Sequence, residues 1–388
     1  MLDKTSPDAV VSLVRALAAP PAAVPNLAPF VASVTDAAAW PRVFNLLDRH
    51  RLTALAAIRL GGVSGLPRTV VDEFDAERRA AGIHALAAAA ELTAALRVLA
   101  AAGIVALPFK GPVLALAVYG DLAARRMVDI DLVVSPVDRQ RALGVLAAAG
   151  WRWPTAGART RDLLHQWLGH VPLVREGANI GLELHWRFAP EALPWTLPVE
   201  DVLVRAVPVP SAPDPSWLTP HASDHLLLLA WHGTRHGWIA LEWLVGFAHV
   251  LAAISRNDAV AAASTARRVG GARALGIAVA AAEQALGVPI TSGLEPLTVD
   301  PVVRAAATKL VAGMWADAAP PGEQADRHRY WIRCLDSTSA RVRFIALTGL
   351  LPTERELEII RLPEALAALY YPLRIARVAS RALLGRTA

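Results

Sequence analysis

Apolar residues recur at helical spacing over Asp8–Leu17, Trp40–Leu60 and Val70–Leu99, with Pro-rich or Gly/Pro breaks at 20–29 and 61–67 between them. Gly103 closes the third run, and the pattern then changes. Ile104 to Pro108 is short and continuously apolar, as a strand is, and Gly111 to Tyr119 predicts a short helix. Asp129-Ile130-Asp131-Leu132-Val133-Val134 predicts a strand with its polar end first. Pro136 suits the first turn of a helix, where a missing N–H costs nothing, and that helix runs to about Ala149 before Gly150. Trp151-Arg152-Trp153 follows, then a short helix near 160–168 and two strand-like runs, His170–Arg175 and Asn179–Arg187. Pro172 makes the first of these an edge strand at best. Glu176-Gly177-Ala178-Asn179 has the chemistry of a hairpin turn.

Residues 190–218 are Pro-rich and predict a linker with one more strand at Ala206–Pro210. From Thr219 the pattern is helical to the end, punctuated at Pro289, Pro320-Pro321 and Pro352. No repeat of fixed period is present. The expected fold class is α+β and mostly helical: an N-terminal helical region (1–95), a small mixed-sheet core (96–215) and a C-terminal helical domain (216–388).

A chain of 388 residues is long enough for two or three units with their own cores, and its alanine-rich apolar content favours helix. The net charge of +5 is spread out, with no block of five or six like charges, so no nucleic-acid partner is expected. A mildly basic surface does suit nucleotides or phosphorylated substrates. Cys334 is the single cysteine, which excludes an intrachain disulfide and a Cys-based zinc site and fits a reducing, cytoplasmic location. Met1 to Arg15 lacks the basic start and apolar run of a signal peptide. No transmembrane segment is expected: Glu91 and Arg97 interrupt the apolar stretch 84–102, and Glu242 and His249 break the run 241–254.

Candidate chemistry centres on carboxylates. Asp129 and Asp131, two apart on a strand, project from one face about 7 Å apart at Cα, while Ile130 and Leu132 point into apolar packing. Such a pair calls for a cation, and hard oxygen ligands favour Mg²⁺ or Mn²⁺. Glu183 lies on a later strand-like run, Leu182-Glu183-Leu184-His185, where alternation puts Glu183 and His185 on one face. Upstream, Phe109-Lys110-Gly111 ends a strand and begins a helix, a place where backbone N–H groups can approach phosphate.

Taken in order, Phe109-Lys110-Gly111, Tyr119, Arg125, Asp129-Ile130-Asp131-Leu132, Gly150-Trp151, Glu183-Leu184-His185-Trp186-Arg187, and His232 through Arg235-His236 to Trp238 form a set. This set resembles the bacterial family of uncharacterised nucleotidyltransferases, a branch of the polymerase-β-like nucleotidyltransferase superfamily. The resemblance covers roughly residues 95–250. It implies a nucleotidyltransferase α/β core in which Asp129, Asp131 and Glu183 hold divalent ions. Lys110 and the N–H of Gly111, with Arg125, would hold the β- and γ-phosphates. An acceptor hydroxyl would attack the α-phosphorus in line and release pyrophosphate.

The implied function is Mg²⁺-dependent transfer from an NTP such as ATP to a hydroxyl or phosphate of a small-molecule, peptide or glycan acceptor. A tailoring step in natural-product or polysaccharide biosynthesis would fit. Two alternatives stand beside it: transfer of a sugar from a nucleotide-sugar to an acceptor phosphate, and a non-catalytic nucleotide-binding or regulatory protein. Three positions depart from the pattern. Lys110-Gly111 replaces the superfamily's Gly-Ser or Gly-Gly, Val128 replaces a small residue, and Gly246 stands where relatives often carry Asp.

Thr219-Pro220 predicts a helix start with Thr as N-cap. On a helix continued from there, His221, His225, His232 and His236 fall within about 60° of one another, flanked by Asp224 and Arg235 and opposite Leu226, Leu227 and Ala230. The expectation is a substrate-cleft lining at His232 and His236 and a partly exposed surface at His221 and His225. The zinc motif His-Glu-x-x-His is not met. His185 and His170 have two readings each, a contact to substrate or a hydrogen-bonded core residue. Trp151, Trp153, Trp186, Trp231, Trp238 and Trp243 are expected in packing. Leu366–Leu384 carries Arg374, Arg377 and Arg381 among apolar residues, with Arg386 beyond. Such a helix closes a helical domain or, as the second reading, lies peripherally on a membrane or partner.

Overall fold

The short apolar runs after Gly103 assemble into one five-stranded sheet. The computed structural model describes residues 8–20, 24–154, 165–316 and 324–384. Its strands are β1 (Ala106–Pro108), β2 (Asp129–Val134), β3 (Trp151–Arg152), β4 (His170–Arg175) and β5 (Gly181–His185). Their order across the sheet is β1-β2-β5-β4-β3. β2 and β5 run parallel; the other neighbours are antiparallel. The fold is thus α+β and mostly helical, with a small mixed sheet, as expected.

The predicted hairpin joins β4 to β5, and Gly177 supplies the positive φ of 78° that its turn requires. The edge expectation for β4 needs correction, since the strand lies between β5 and β3. Pro172 is nevertheless tolerated, because β3 pairs with Val174 and Arg175 and, among the described residues, β4 has a single strand neighbour at the level of Pro172. Of the short helix near 160–168, residues 165–168 are helical and the rest lies outside the described residues, as does the break at Pro320-Pro321.

Two apolar cores flank the sheet. Ile130, Leu132, Leu182 and Leu184 pack with Leu92, Leu96 and Leu99 of the long helix Arg68–Ala101 and with Leu146. Leu107, Phe109 and Val133 join the larger core, built from N-terminal residues such as Leu13 and Leu47 and C-terminal ones such as Leu226, Phe247 and Ile277. Asp131 shares its strand face with Val133, so the carboxylate face of β2 turns toward the helices of this larger core.

By length and composition alone Arg68–Ala101 is apolar enough to cross a membrane, so Glu91 and Arg97 do not interrupt its apolar stretch as expected. The two charged residues read as interruptions are ion-paired within the fold, Glu91 with Arg175 and Arg97 with Asp214, and its apolar stripe packs beneath the sheet.

The histidine helix also starts later than predicted. Leu218-Thr219 is a strand, β7, paired with Val207-Pro208, β6. That pairing holds Thr219 extended, so the helix spans Ala222–Arg235 with His221 at the N-cap and no side-chain cap bond. It is buried nearly all round, and His225, expected at a partly exposed surface, is buried with Leu226 and Leu227. Gly233 is obligatory in its last turn, since a Cβ there would strike the Trp238 ring.

In the C-terminal stretch the helix spans Tyr370–Leu384. Arg374 and Arg377 face inward to the buried Glu356, while Ile375 and Val378 are outward. The basic face that a membrane-lying helix would present is therefore drawn inward at these two arginines, because Glu356 needs a counter-charge. The Arg381 side chain and Arg386 lie outside the described residues.

Candidate active site

The parallel pairing of β2 with β5 builds the site. Its register sets Asp129 opposite Gly181, Asp131 opposite Glu183 and Val133 opposite His185. Neighbouring strands lie about 4.8 Å apart, so the Asp131 and Glu183 carboxylates stand side by side on one face. His185, two residues beyond Glu183, reaches back between them. Its Nε2 is 3.1 Å from Asp131 Oδ1 and 3.2 Å from Glu183 Oε2. Lys110 Nζ closes on Asp131 Oδ1 at 2.6 Å, and both groups are buried. The His170 ring stacks on His185 at 4.7 Å and brings Nε2 to 3.8 Å from Glu183 Oε2.

Electrostatics follow this geometry. Burial works to raise the Asp131 carboxyl, but the Lys110 ammonium and the His185 hydrogen bond hold it far below the usual carboxylate range. Burial likewise opposes Glu183, which its hydrogen bond from His185 nevertheless holds below the usual carboxylate range. His185 is pushed up, its burial outweighed by the two carboxylates it bonds. Asp129, half-buried at the start of β2, is raised by burial and by the neighbouring Asp131 charge.

The ligand atoms of Asp131, Glu183 and His185 lie within 4.8 Å of one another, a spacing that can hold a metal ion. Two carboxylates and an imidazole are donors suited to a divalent ion, and Asp129 on the same face adds a third carboxylate. The predicted trio is thus partly assembled: Asp131 and Glu183 converge, while Asp129 lies outside the tight group and His185 stands inside it.

Gly111 follows Lys110 with φ 64° and ψ −136°, a conformation that favours glycine, and caps the short helical turn Pro112–Leu114. A Cβ there would sit 3.4 Å from the Asp129 carbonyl oxygen, so the loop lies directly against β2. Arg125 is turned to a different partner: its Nε is 2.7 Å from Oε1 of the buried Glu242. Glu242 is raised by burial, against the pull of Arg125.

His232 and His236 lie at the boundary between sheet and helices. Lys110 Nζ is 3.5 Å from His232 Nδ1, the two imidazoles are 4.6 Å apart, and Trp243 packs on both. Burial, then Lys110, pushes His232 well below its ordinary pKa, so it is a neutral acceptor. Neither histidine belongs to a metal-competent cluster among the described residues.

Two residues here were not singled out as site residues from sequence. Glu242 read only as a break in an apolar run. It lies one helical turn before Gly246 on the helix Leu241–Ala253, with its carboxylate beside Arg125. Arg235 read as flanking the histidine stripe; it lies beside His236 at the helix end.

The model of the family described as uncharacterised nucleotidyltransferase matches residues 36–287, about two thirds of the chain. No curated protein and no solved structure matches.

Proposed function

This chain belongs to the uncharacterised nucleotidyltransferase family, and we propose that it transfers a nucleotidyl group from an NTP to a hydroxyl or phosphate of a small-molecule, peptide or glycan acceptor. The observation that carries this reading is the register of β2 with β5, which makes Asp131 and Glu183 neighbours within one cation-sized cluster. Asp131 and Glu183 would hold a divalent ion, Mg²⁺ or Mn²⁺, and Asp129 would complete the oxygen ligands on the half-buried side. Such an ion, when bound, neutralises charge on the transferring phosphoryl group and acidifies an acceptor hydroxyl.

The chain's own groups set the rest. Lys110 brings an ammonium to the edge of the cluster, and Gly111 lets the backbone N–H approach phosphate oxygens. His185, bonded to both carboxylates, fixes their orientation. His232, held neutral, and Trp243 pack beside the charged Lys110, Arg125 and Glu242, and the exclusion of water there strengthens electrostatic contacts.

Incubation of the full chain with each NTP and, separately, with NDP-sugars, in the presence of Mg²⁺ or Mn²⁺ and a panel of acceptors, read by product mass, tests the reading. A product heavier by one nucleoside monophosphate supports it. A product heavier by a hexose from an NDP-sugar points instead to glycosyl transfer.

One observation favours a second, non-catalytic reading: Lys110 and His185 already supply positive partners to Asp131. On that reading a nucleotide raises Tm but no pyrophosphate appears, with any ion or acceptor.

A further inference from the structure

Three cations surround the carboxylate cluster, and two have carboxylate partners. Lys110 is paired with Asp131 at 2.6 Å and Arg125 with Glu242 at 2.7 Å. Arg235 is not so paired. Its Nε and Nη2 both point to His236 Nε2, at 3.3 and 3.2 Å, and among the described residues no carboxylate oxygen lies within 4.0 Å of it. It sits in the last turn of the helix Ala222–Arg235 and lines a narrow cavity of about 20 Å³ with Lys110, His185, Phe188, Trp231 and His232. That is room for roughly one water molecule beside a side chain that is half-buried and open to solvent on its remaining side.

A guanidinium in this position is costly without a partner charge. Burial lowers its pKa, and the charges that oppose this come from Glu183, Asp131 and Asp129, so Arg235 senses the site without touching it. The hydrogen bonds to His236 occupy the Nε–Nη2 edge. The end of the fork, Nη1 with the second N–H of Nη2, remains for a two-point contact, the geometry in which arginine grips phosphate.

We propose that Arg235 is an anion-binding residue of this site, held in place by His236, and that its missing counter-charge is the polyphosphate of the substrate, taken through two non-bridging oxygens. Arg125, with its charge engaged by Glu242, is a positioning residue, and Arg235 is the arginine that contacts the ligand. The identity of the ligand rests on the nucleotidyl-transfer reading; the anion site itself does not.

The test is titration calorimetry of the full chain with inorganic tripolyphosphate, with and without Mg²⁺, on the unaltered protein, Arg235→Gln and Arg235→Lys. Loss of one charge-assisted, two-point contact weakens binding about 10- to 100-fold. Arg235→Gln is expected to show that loss, and Arg235→Lys a partial recovery, since lysine keeps the charge but not the fork. Equal affinity in Arg235→Gln and the unaltered protein overturns the proposal, as does an unaltered protein that binds no tripolyphosphate. If Arg235→Gln does not fold, Arg235→Lys carries the test, and unchanged affinity in it overturns the two-point contact. Tripolyphosphate bound through Arg235 with no nucleotidyl product from any NTP supports the anion site and counts only against the transfer reading.

Discussion

Asp131 on β2 and Glu183 on β5 are register partners in a parallel pair, 52 residues apart in sequence and side by side in the sheet. Two carboxylates so placed repel unless positive charge lies between or beside them. Lys110 and His185 supply some of that charge to this pair. A divalent ion would supply more, and its binding free energy would appear as folding stability.

Saturating Mn²⁺ or Mg²⁺ is therefore expected to stabilise the chain by roughly 2.7 kcal/mol at a hundredfold excess over Kd. Differential scanning calorimetry with and without EDTA measures this as a Tm shift of a few degrees. Glu183→Gln should abolish the shift while retaining the fold. An ion-dependent shift of the same size in Glu183→Gln would show that the ion binds elsewhere.

The buried pair Arg125–Glu242 makes a second expectation. Glu242→Gln leaves the Arg125 guanidinium without its partner in a site where its side chain is only 12% exposed. Breaking a buried pair from one side costs about 3–5 kcal/mol, whereas replacing both partners by apolar residues of similar volume is often neutral. Urea denaturation should place Glu242→Gln well below the unaltered protein and the double variant Arg125→Met, Glu242→Leu close to it. Additive losses in the double variant would mean that the two charges do not interact.

The secondary structure of the sheet was largely legible in the sequence. β2 begins and ends where its alternation predicts, and the hairpin between β4 and β5 follows from Gly177 and its neighbours. What local pattern cannot carry is pairing between distant segments. The register that joins Asp131 to Glu183 is one case. Another is the β6–β7 pairing, which moves the helix start from Thr219 to Ala222. Charge partners are equally non-local: no spacing in the sequence pairs Arg374 and Arg377 with Glu356, about 20 residues upstream. Alternation puts His185 on the face of Glu183, but only the folded sheet brings its Nε2 between two carboxylates.

Acid sensitivity is expected from His50, which ties the N-terminal helices to the helix carrying Glu242. Its Nε2–H donates to the Met314 carbonyl at 2.8 Å, and its Nδ1 accepts the Leu241 N–H at 3.1 Å, so the neutral ring is the one that fits. Burial lowers its pKa from 6.5 to about 4. With the folded value below the unfolded one, the unfolded chain takes up the proton first. The stability is thus fully present above pH 6.5 and is lost as pH falls from 6.5 toward 4, by on the order of 3 kcal/mol. His225 and His249 are lowered by burial in the same direction and steepen the loss. Urea midpoints measured between pH 7.5 and 4.5 should fall more steeply for the unaltered protein than for His50→Asn. Parallel curves would remove His50 as a contributor.

Pyrophosphate release from NTPs, measured with Mn²⁺ or Mg²⁺ for the unaltered protein and for Asp129→Asn combined with Asp131→Asn, bears most directly on the carboxylate site. Expected is steady release that needs the divalent ion and falls by about 10³-fold or more in the double variant. Release that persists unchanged when both aspartates are gone, or that ignores EDTA, would contradict a nucleotidyl-transfer site built on these carboxylates.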